Sequence, residues 1–450
     1  MASCVSRASW PAIVASFVAS RCRSLVAAGA CVVALGTWWS SLVAQGGSAF
    51  MGSVDDPAIN YSTTRLNNIV EDANRKLEEG AARLTFDGRG GFLRSALDLL
   101  QIPADSQLLV FSRASLQGKL IDEKSPRALY FNDRVALGWV RDAPLLEIAV
   151  HDDTAGVVFY TIDQGEGGRA RRFTRAFECL GCHRAGDTFG VPGFLMFSTT
   201  RATQLQTSGV PRPIDHSDPL SRRFGGWFVT GSVGSVMHMG NEAAAVDGRP
   251  TRELASVDGL FDPDGYSAST SDIVAHLVFT HQARMTNLLT RASWEARVAD
   301  PALHPPFTRT AESDARVAAI MTGVASEVVD YLLFIDEAKL TDRVRGNAGF
   351  GERFTKSGPR DRQGRSLYEL DLTRRLMKYP CSYLIYSPAF DALPPTAKEA
   401  IYRRLWQVLS GEERDDRYRT ALSRADRQAI VEIIRDTKKD LPAYFQRAIG

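Results

Sequence analysis

Hydrophobic positions along the chain recur with two periods, and the change from one to the other outlines the protein. In residues 62–79, Leu66, Ile69, Val70 and Ala73 fall at helical spacing and Gly80 follows as a stop, which predicts a helix; residues 92–100 predict a second. From Gln107 the pattern shifts to short runs rich in β-branched and aromatic residues. The runs at 108–111, 128–131, 135–140, 145–150 and 156–162 are separated by turn residues such as Asn132-Asp133 and Asp152-Asp153, and predict a small antiparallel sheet. Helical spacing returns at 272–299, 314–334, 396–409 and 425–437. The third of these stands behind Pro394-Pro395, and the last behind Ser423 with Asp426 three residues on, a cap-like pairing. Residues 346–364, rich in Gly, Arg, Lys and Asp, read as an exposed loop. Residues 258–265 read as a turn, because no glutamate stands at the twelfth position of a calcium loop.

Between the strand-like and helical parts lies Phe177-Glu178-Cys179-Leu180-Gly181-Cys182-His183, a Cys-x-x-Cys-His stretch of the kind that attaches c-type haem. On a helix, Cys179, Cys182 and His183 fall at i, i+3 and i+4 and share a face. The thiols can then add to the haem vinyl groups as thioethers while the His183 imidazole binds the iron as proximal ligand. A zinc site competes weakly, since it needs a second tight ligand pair and His216 and His238 lie 22 residues apart. A thioredoxin-like redox pair should follow a buried strand, and Arg-rich sequence precedes this one.

The expected architecture is α+β, with an N-terminal small antiparallel sheet and helices, a central c-type haem segment and a mainly α-helical C-terminal region. The divisions are 1–49 for a signal peptide or N-terminal membrane anchor, 55–165 for the mixed region, 166–245 for haem binding and 246–450 for helices packing on the haem region.

The N-terminus bears on the compartment. Arg7, Arg21 and Arg23 precede the uncharged, mostly apolar run 24–43, and Gly47-Ser48-Ala49 supplies small residues for cleavage. This pattern predicts export to the periplasm; uncleaved, the run is about long enough to span a bilayer and gives inner-membrane association. Of six cysteines, Cys4, Cys22 and Cys31 fall in that segment and two in the motif. Cys381 is left over among Tyr379, Tyr383, Leu384 and Ile385, so it is expected in the core rather than in a disulfide. A formal net charge of +2 over 450 residues gives no reason to expect nucleic acid.

Around the motif, Arg169, Arg171, Arg172 and Arg175 suit haem propionates or an acidic redox partner, or form a solvated face. Gly165-x-Gly167 with Ala170 only loosely fits a dinucleotide fingerprint. The run Gly190-Val191-Pro192-Gly193-Phe194-Leu195-Met196-Phe197 supplies the apolar surface that a haem plate needs. His151, beside Asp152 and Asp153, reads as a solvated turn histidine before a metal ligand.

Further blocks are Asp215-His216-Ser217-Asp218-Pro219, then Arg223-Phe224-Gly225-Gly226-Trp227-Phe228-Val229-Thr230-Gly231, then Met237-His238-Met239-Gly240-Asn241. With the Tyr379 to Ser387 stretch and Arg127-Ala128-Leu129-Tyr130-Phe131-Asn132-Asp133, they make most of the chain beyond the targeting segment resemble a family of large exported bacterial proteins. That family carries one cytochrome-c-type motif, is poorly characterised and is called cytochrome c domain-containing. Its members often place a histidine in the block after the Trp-Phe/Tyr-Val-Thr-Gly run, where this chain has Val233, so that position is no axial ligand here. The motif region also resembles small cytochromes c, in which a proline carbonyl shortly after the motif accepts the hydrogen bond of the proximal histidine; Pro192 is the residue so placed. Arg223 and Trp227 are candidate haem contacts.

The sixth iron ligand stays open among several residues. Met237, His238 and Met239 stand 54 to 56 residues beyond His183, near the separation seen for the distal methionine of small cytochromes c. His238 is the first candidate, Met239 the second and His281 the third, although His281 shares a helix face with Leu277, Met285 and Leu288 and suits the core. His216 suits a surface turn. The function expected is one-electron transfer with redox partner proteins. The alternatives are a haem enzyme, peroxidase-like or acting on another small molecule, and a haem-based sensor, both with the distal position open.

Overall fold

A computed structural model describes residues 49–165, 172–200, 211–244 and 253–449. Ser48–Gly450 forms one compact unit; the other, Met1–Gly47, on which the expected targeting segment falls, lies outside the described residues.

Local chemistry sets where the first helix starts. Asn68 accepts hydrogen bonds from the Val70 and Glu71 amides, so α1 runs Ile69–Glu78 and starts later than its apolar spacing suggests. The residues before it wind through turns, with the Asp55 carboxylate taking the amide and hydroxyl of Ser62. α2, Leu93–Leu99, matches its expectation.

The sheet is larger than the sequence suggests. Strands β1 (Leu108–Val110), β2 (Arg127–Phe131), β3 (Val135–Trp139), β4 (Leu145–Asp152), β5 (Gly156–Asp163) and β6 (Thr174–Arg175) form an antiparallel meander. β9 (Trp227–Phe228) adds to its far edge beside β1, giving the order β6-β5-β4-β3-β2-β1-β9. A short ribbon of β7 (Phe197–Ser198) and β8 (Arg212–Pro213) stands apart from it. β4 alternates strictly: Leu146, Ile148 and Val150 enter the core shared with α1 and α2, while Leu145, Glu147, Ala149 and His151 point to the opposite face and are half-buried.

That opposite face packs against helices. α3 (Leu180–His183) leads into the loops, followed by α4 (Ile273–Ala299), α5 (Ala311–Leu332), α6 (Phe350–Ser357), α7 (Pro395–Ser410) and α8 (Arg424–Thr437). Their buried side chains join Leu108, Phe131, Ala136, Val157 and Phe159 of the sheet in one core. α4 is buried nearly all round, because it runs between the sheet and the outer helices. Its start is held by Asp272, whose carboxylate accepts from Val274 and Ala275 and also from Asn347 and Ala348 of a distant loop. Ser423 and Asp426 cap α8 reciprocally as expected. The stretch 346–364 is not all loop. Phe350 and Phe354, one turn apart, bury their rings and hold α6 against α4.

Candidate haem-attachment site

The Cys-x-x-Cys-His stretch forms one helical segment, a 3-10 turn over Phe177–Cys179 that passes into α3. It leaves the sheet directly from β6, with the Ala176 amide bonded to the Phe159 carbonyl, so the edge of the sheet fixes where the motif begins. Cys179 is half-buried and Cys182 exposed, and both thiols are free. Burial pushes the Cys179 thiol up to about 11, with the Glu147 and Glu178 carboxylates adding to the shift and Arg127 opposing it. A thioredoxin-like pair requires the opposite displacement, a stabilised thiolate. Among the described residues no three His, Cys, Asp or Glu side chains gather as ligands for a metal ion.

His183 is oriented from behind. Its Nδ1 lies 2.9 Å from the Gly193 carbonyl, and the Gly193 amide returns a bond of 2.9 Å to the His183 carbonyl. A carbonyl only accepts, so Nδ1 carries the proton and Nε2 keeps its lone pair for a metal. Burial lowers the pKa of the ring, opposed by the bond to Gly193, which keeps the imidazole in the neutral form that ligates. The acceptor is therefore Gly193 rather than Pro192, one residue earlier. α4 supplies the reason: Asn287 accepts from the Phe194 amide at 2.8 Å and donates to the Phe194 carbonyl at 2.8 Å. A Cβ on residue 193 would stand 2.4 Å from Asn287 Oδ1, so only glycine lets the loop approach this closely. Phe159 of β5 packs on the imidazole with 4.8 Å between ring centroids.

The distal candidates lie elsewhere. His238 accepts from the Gly240 amide and packs near Phe224, while the Met239 amide bonds to the Arg223 carbonyl; both are tied to the β9 edge. Five strand spacings of roughly 4.8 Å separate β9 from β5, about 24 Å across the sheet. α4 spans a similar distance. His276 near its start meets the Phe228 carbonyl of β9, and Thr290 lies against Gly156 of β5; fourteen residues at 1.5 Å rise give about 21 Å. Two axial ligands of one metal stand roughly 4 Å apart, given bonds of about 2 Å. His238 and Met239 are therefore held at the β9 edge, and the structure does not bring them to the turn that carries His183.

His281 is also unsuitable, because both ring nitrogens are engaged. Nδ1 meets His216 Nδ1 at 2.8 Å and Nε2 meets Ser382 Oγ at 2.7 Å, with Tyr331 and Phe334 stacked on the ring. His216, for which the sequence suits a surface turn and a ligand equally, is buried in the same cluster beneath Tyr331. Arg223 and Trp227 likewise serve the interior: Arg223 donates to the carbonyls of Asp218 and His216, and Trp227 Nε1 to the Phe197 carbonyl at 2.7 Å.

Of the arginines before the motif, Arg169 and Arg171 lie outside the described residues, as do Gly167 and Ala170. Arg172 pairs with Glu78, and Arg175 donates to the Tyr61 and Ser62 carbonyls while covering the Phe177 ring. His151 is no turn residue; it belongs to β4, and its Nδ1 is buried without a hydrogen-bond partner.

Arg127 and Glu147, to which the sequence assigns no role at the site, lie near the motif. Register places Glu147 beside Gly138 and Gly138 beside Leu129, with Arg127 two residues further along β2 on the same face. Arg127 reaches across Gly138 to Glu147, with 2.5 Å between Nη2 and Oε2. Ala149, two residues after Glu147 on that face, pairs with Phe159, on which His183 rests.

No family model, curated protein or solved structure matches this chain. Two free thiols and a neutral imidazole with a free Nε2 stand on one helical turn beside a half-buried sheet face that includes small side chains. These residues fit a c-type haem.

Proposed function

We propose that the protein is an exported c-type cytochrome holding one haem covalently through Cys179 and Cys182, with His183 as proximal ligand and the opposite side of the iron open to a small molecule. The observation that carries this reading is the bond between His183 Nδ1 and the Gly193 carbonyl, which leaves Nε2 free on the turn that bears both thiols. The haem would supply redox chemistry and ligand binding at iron; the chain supplies tether, orientation and the polar groups around it. The anchoring of His238 and Met239 at the β9 edge, and the engaged nitrogens of His281, favour a ligand-binding cytochrome, oxidoreductase or sensor over a carrier with two protein ligands.

One-electron transfer is the second reading. Phe177 in the motif and Met51, whose neighbour Gly52 accepts a bond from Arg184, are 45% and 90% exposed and favour docking of a redox partner beside the haem. Export to the periplasm rests on the N-terminal pattern. Among the described residues no helix is long and apolar enough to cross a membrane.

The test is haem staining of periplasm-matured protein on a denaturing gel. A stained band that disappears with Cys179→Ala plus Cys182→Ala is expected; an unstained wild type, or staining that survives both substitutions, defeats the reading. An optical spectrum that shifts with carbon monoxide supports the open iron, whereas a low-spin spectrum indifferent to it favours electron transfer.

A further inference from the structure

Arg127 and Glu147 form an ion pair that is incomplete. The side chains are only 20% and 12% exposed, and each leaves one polar atom buried without a partner: Arg127 Nε, a donor, and Glu147 Oε1, an acceptor. Burying a polar group with its hydrogen bond unmade is unfavourable, because its desolvation goes uncompensated. The pair, on the sheet face that carries Phe159 and His183, thus offers one donor and one acceptor not used within the fold. Gly138 makes the arrangement possible. A Cβ there would stand 2.3 Å from Arg127 Nη2, so the guanidinium lies on the sheet only because residue 138 has no side chain.

We infer that the Arg127–Glu147 pair is a receptor for a small weak acid H–X, such as hydrogen peroxide, hydrogen cyanide or hydrazoic acid, on the haem side of the sheet. This inference rests on the haem reading above. The chemistry is a single proton transfer: the H–X bond breaks, the proton goes to Glu147 Oε1, and the electron pair stays on X−, which the Arg127 Nε–H then holds. No oxidant or reductant is required. A neutral H–X matches one donor plus one carboxylate acceptor. An apolar ligand such as carbon monoxide gains nothing from either group.

The experiment uses the full-length holoprotein in its ferric form with cyanide at neutral pH, where the free species is hydrogen cyanide, and reads association and dissociation optically. Glu147→Gln, which keeps shape and loses the base, is expected to slow association at least 30-fold. Arg127→Leu is expected to weaken the complex at least tenfold. Carbon monoxide affinity of the ferrous form and haem content should change less than threefold in both. Gly138→Ala keeps both charges and displaces the guanidinium, so it should reproduce the Arg127 effect even if Arg127→Leu fails to fold. Cyanide kinetics in Glu147→Gln and Gly138→Ala equal to wild type overturn the receptor while the haem reading stands. So does a wild-type holoprotein that binds neither carbon monoxide nor cyanide. An absence of covalent haem overturns both readings and is seen first, on the stained gel.

Discussion

Asn287 is the residue through which the helical half of the protein holds the loop behind the Cys-x-x-Cys-His motif in place, and its removal has a calculable effect. Its side chain is buried and makes two hydrogen bonds of 2.8 Å to the backbone of Phe194, the residue after the Gly193 carbonyl that orients His183. Asn287→Ala leaves the Phe194 amide and carbonyl buried and unpaired, at about 1–3 kcal/mol each. A water entering the vacated space recovers part of this, which leaves about 2–4 kcal/mol. That is about a 30- to 1,000-fold shift in the unfolding equilibrium. Urea unfolding of the protein, followed by the fluorescence of tryptophans that include the buried Trp139 and Trp294, measures it. Asn287→Asp keeps the acceptor but turns a carboxylate oxygen toward the Phe194 carbonyl, so it should fare no better than alanine. A loss below about 0.5 kcal/mol in Asn287→Ala would refute the proposal that this clamp positions the loop.

The Asp272 carboxylate accepts from four amides on two separate segments, so Asp272→Ala should destabilise by more than about 3 kcal/mol; thermal unfolding within about 1 kcal/mol of wild type contradicts this. Burial lowers the pKa of His276 to about 3, so the folded ring binds fewer protons than the unfolded one below the ordinary value of 6.5. Its contribution is whole above about pH 6.5 and is lost as pH falls toward about 3, by up to about 1.4 kcal/mol per pH unit. His276→Gln should therefore show a shallower fall over that window in urea titrations at stepped pH; an unchanged slope argues against a neutral buried ring. Burial pushes the Cys381 thiol up and leaves it inaccessible. Iodoacetamide should then leave Cys381 unlabelled in the native protein and label it once in denaturant by mass spectrometry, and native labelling at Cys381 contradicts its place in the core.

What the sequence determined by itself was local. The five predicted strands fall within two residues of their observed ends, because alternation, β-branching and turn residues act over a few positions. The long helix over Ile273–Ala299 and the cap at Ser423 were legible for the same reason. So was the helical turn that carries Cys179, Cys182 and His183, since short-range spacing alone decides it. α6 was hidden because its flanks are rich in Gly, Arg and Lys, and only tertiary packing of Phe350 and Phe354 makes it a helix.

Long-range pairing decided the rest. Sequence separation suggested His238 and Met239 as partners for His183, but β9 joins the sheet at the edge far from β5 and carries them away. Pro192 had the expected spacing, yet the approach of Asn287 on α4 brings forward the neighbouring Gly193 carbonyl instead. Arg127 and Glu147 stand in separate strands, with only a lone charge at an inward-facing strand position to mark each. Their meeting over Gly138 depends on the register of three strands, and register follows from how the whole face is buried.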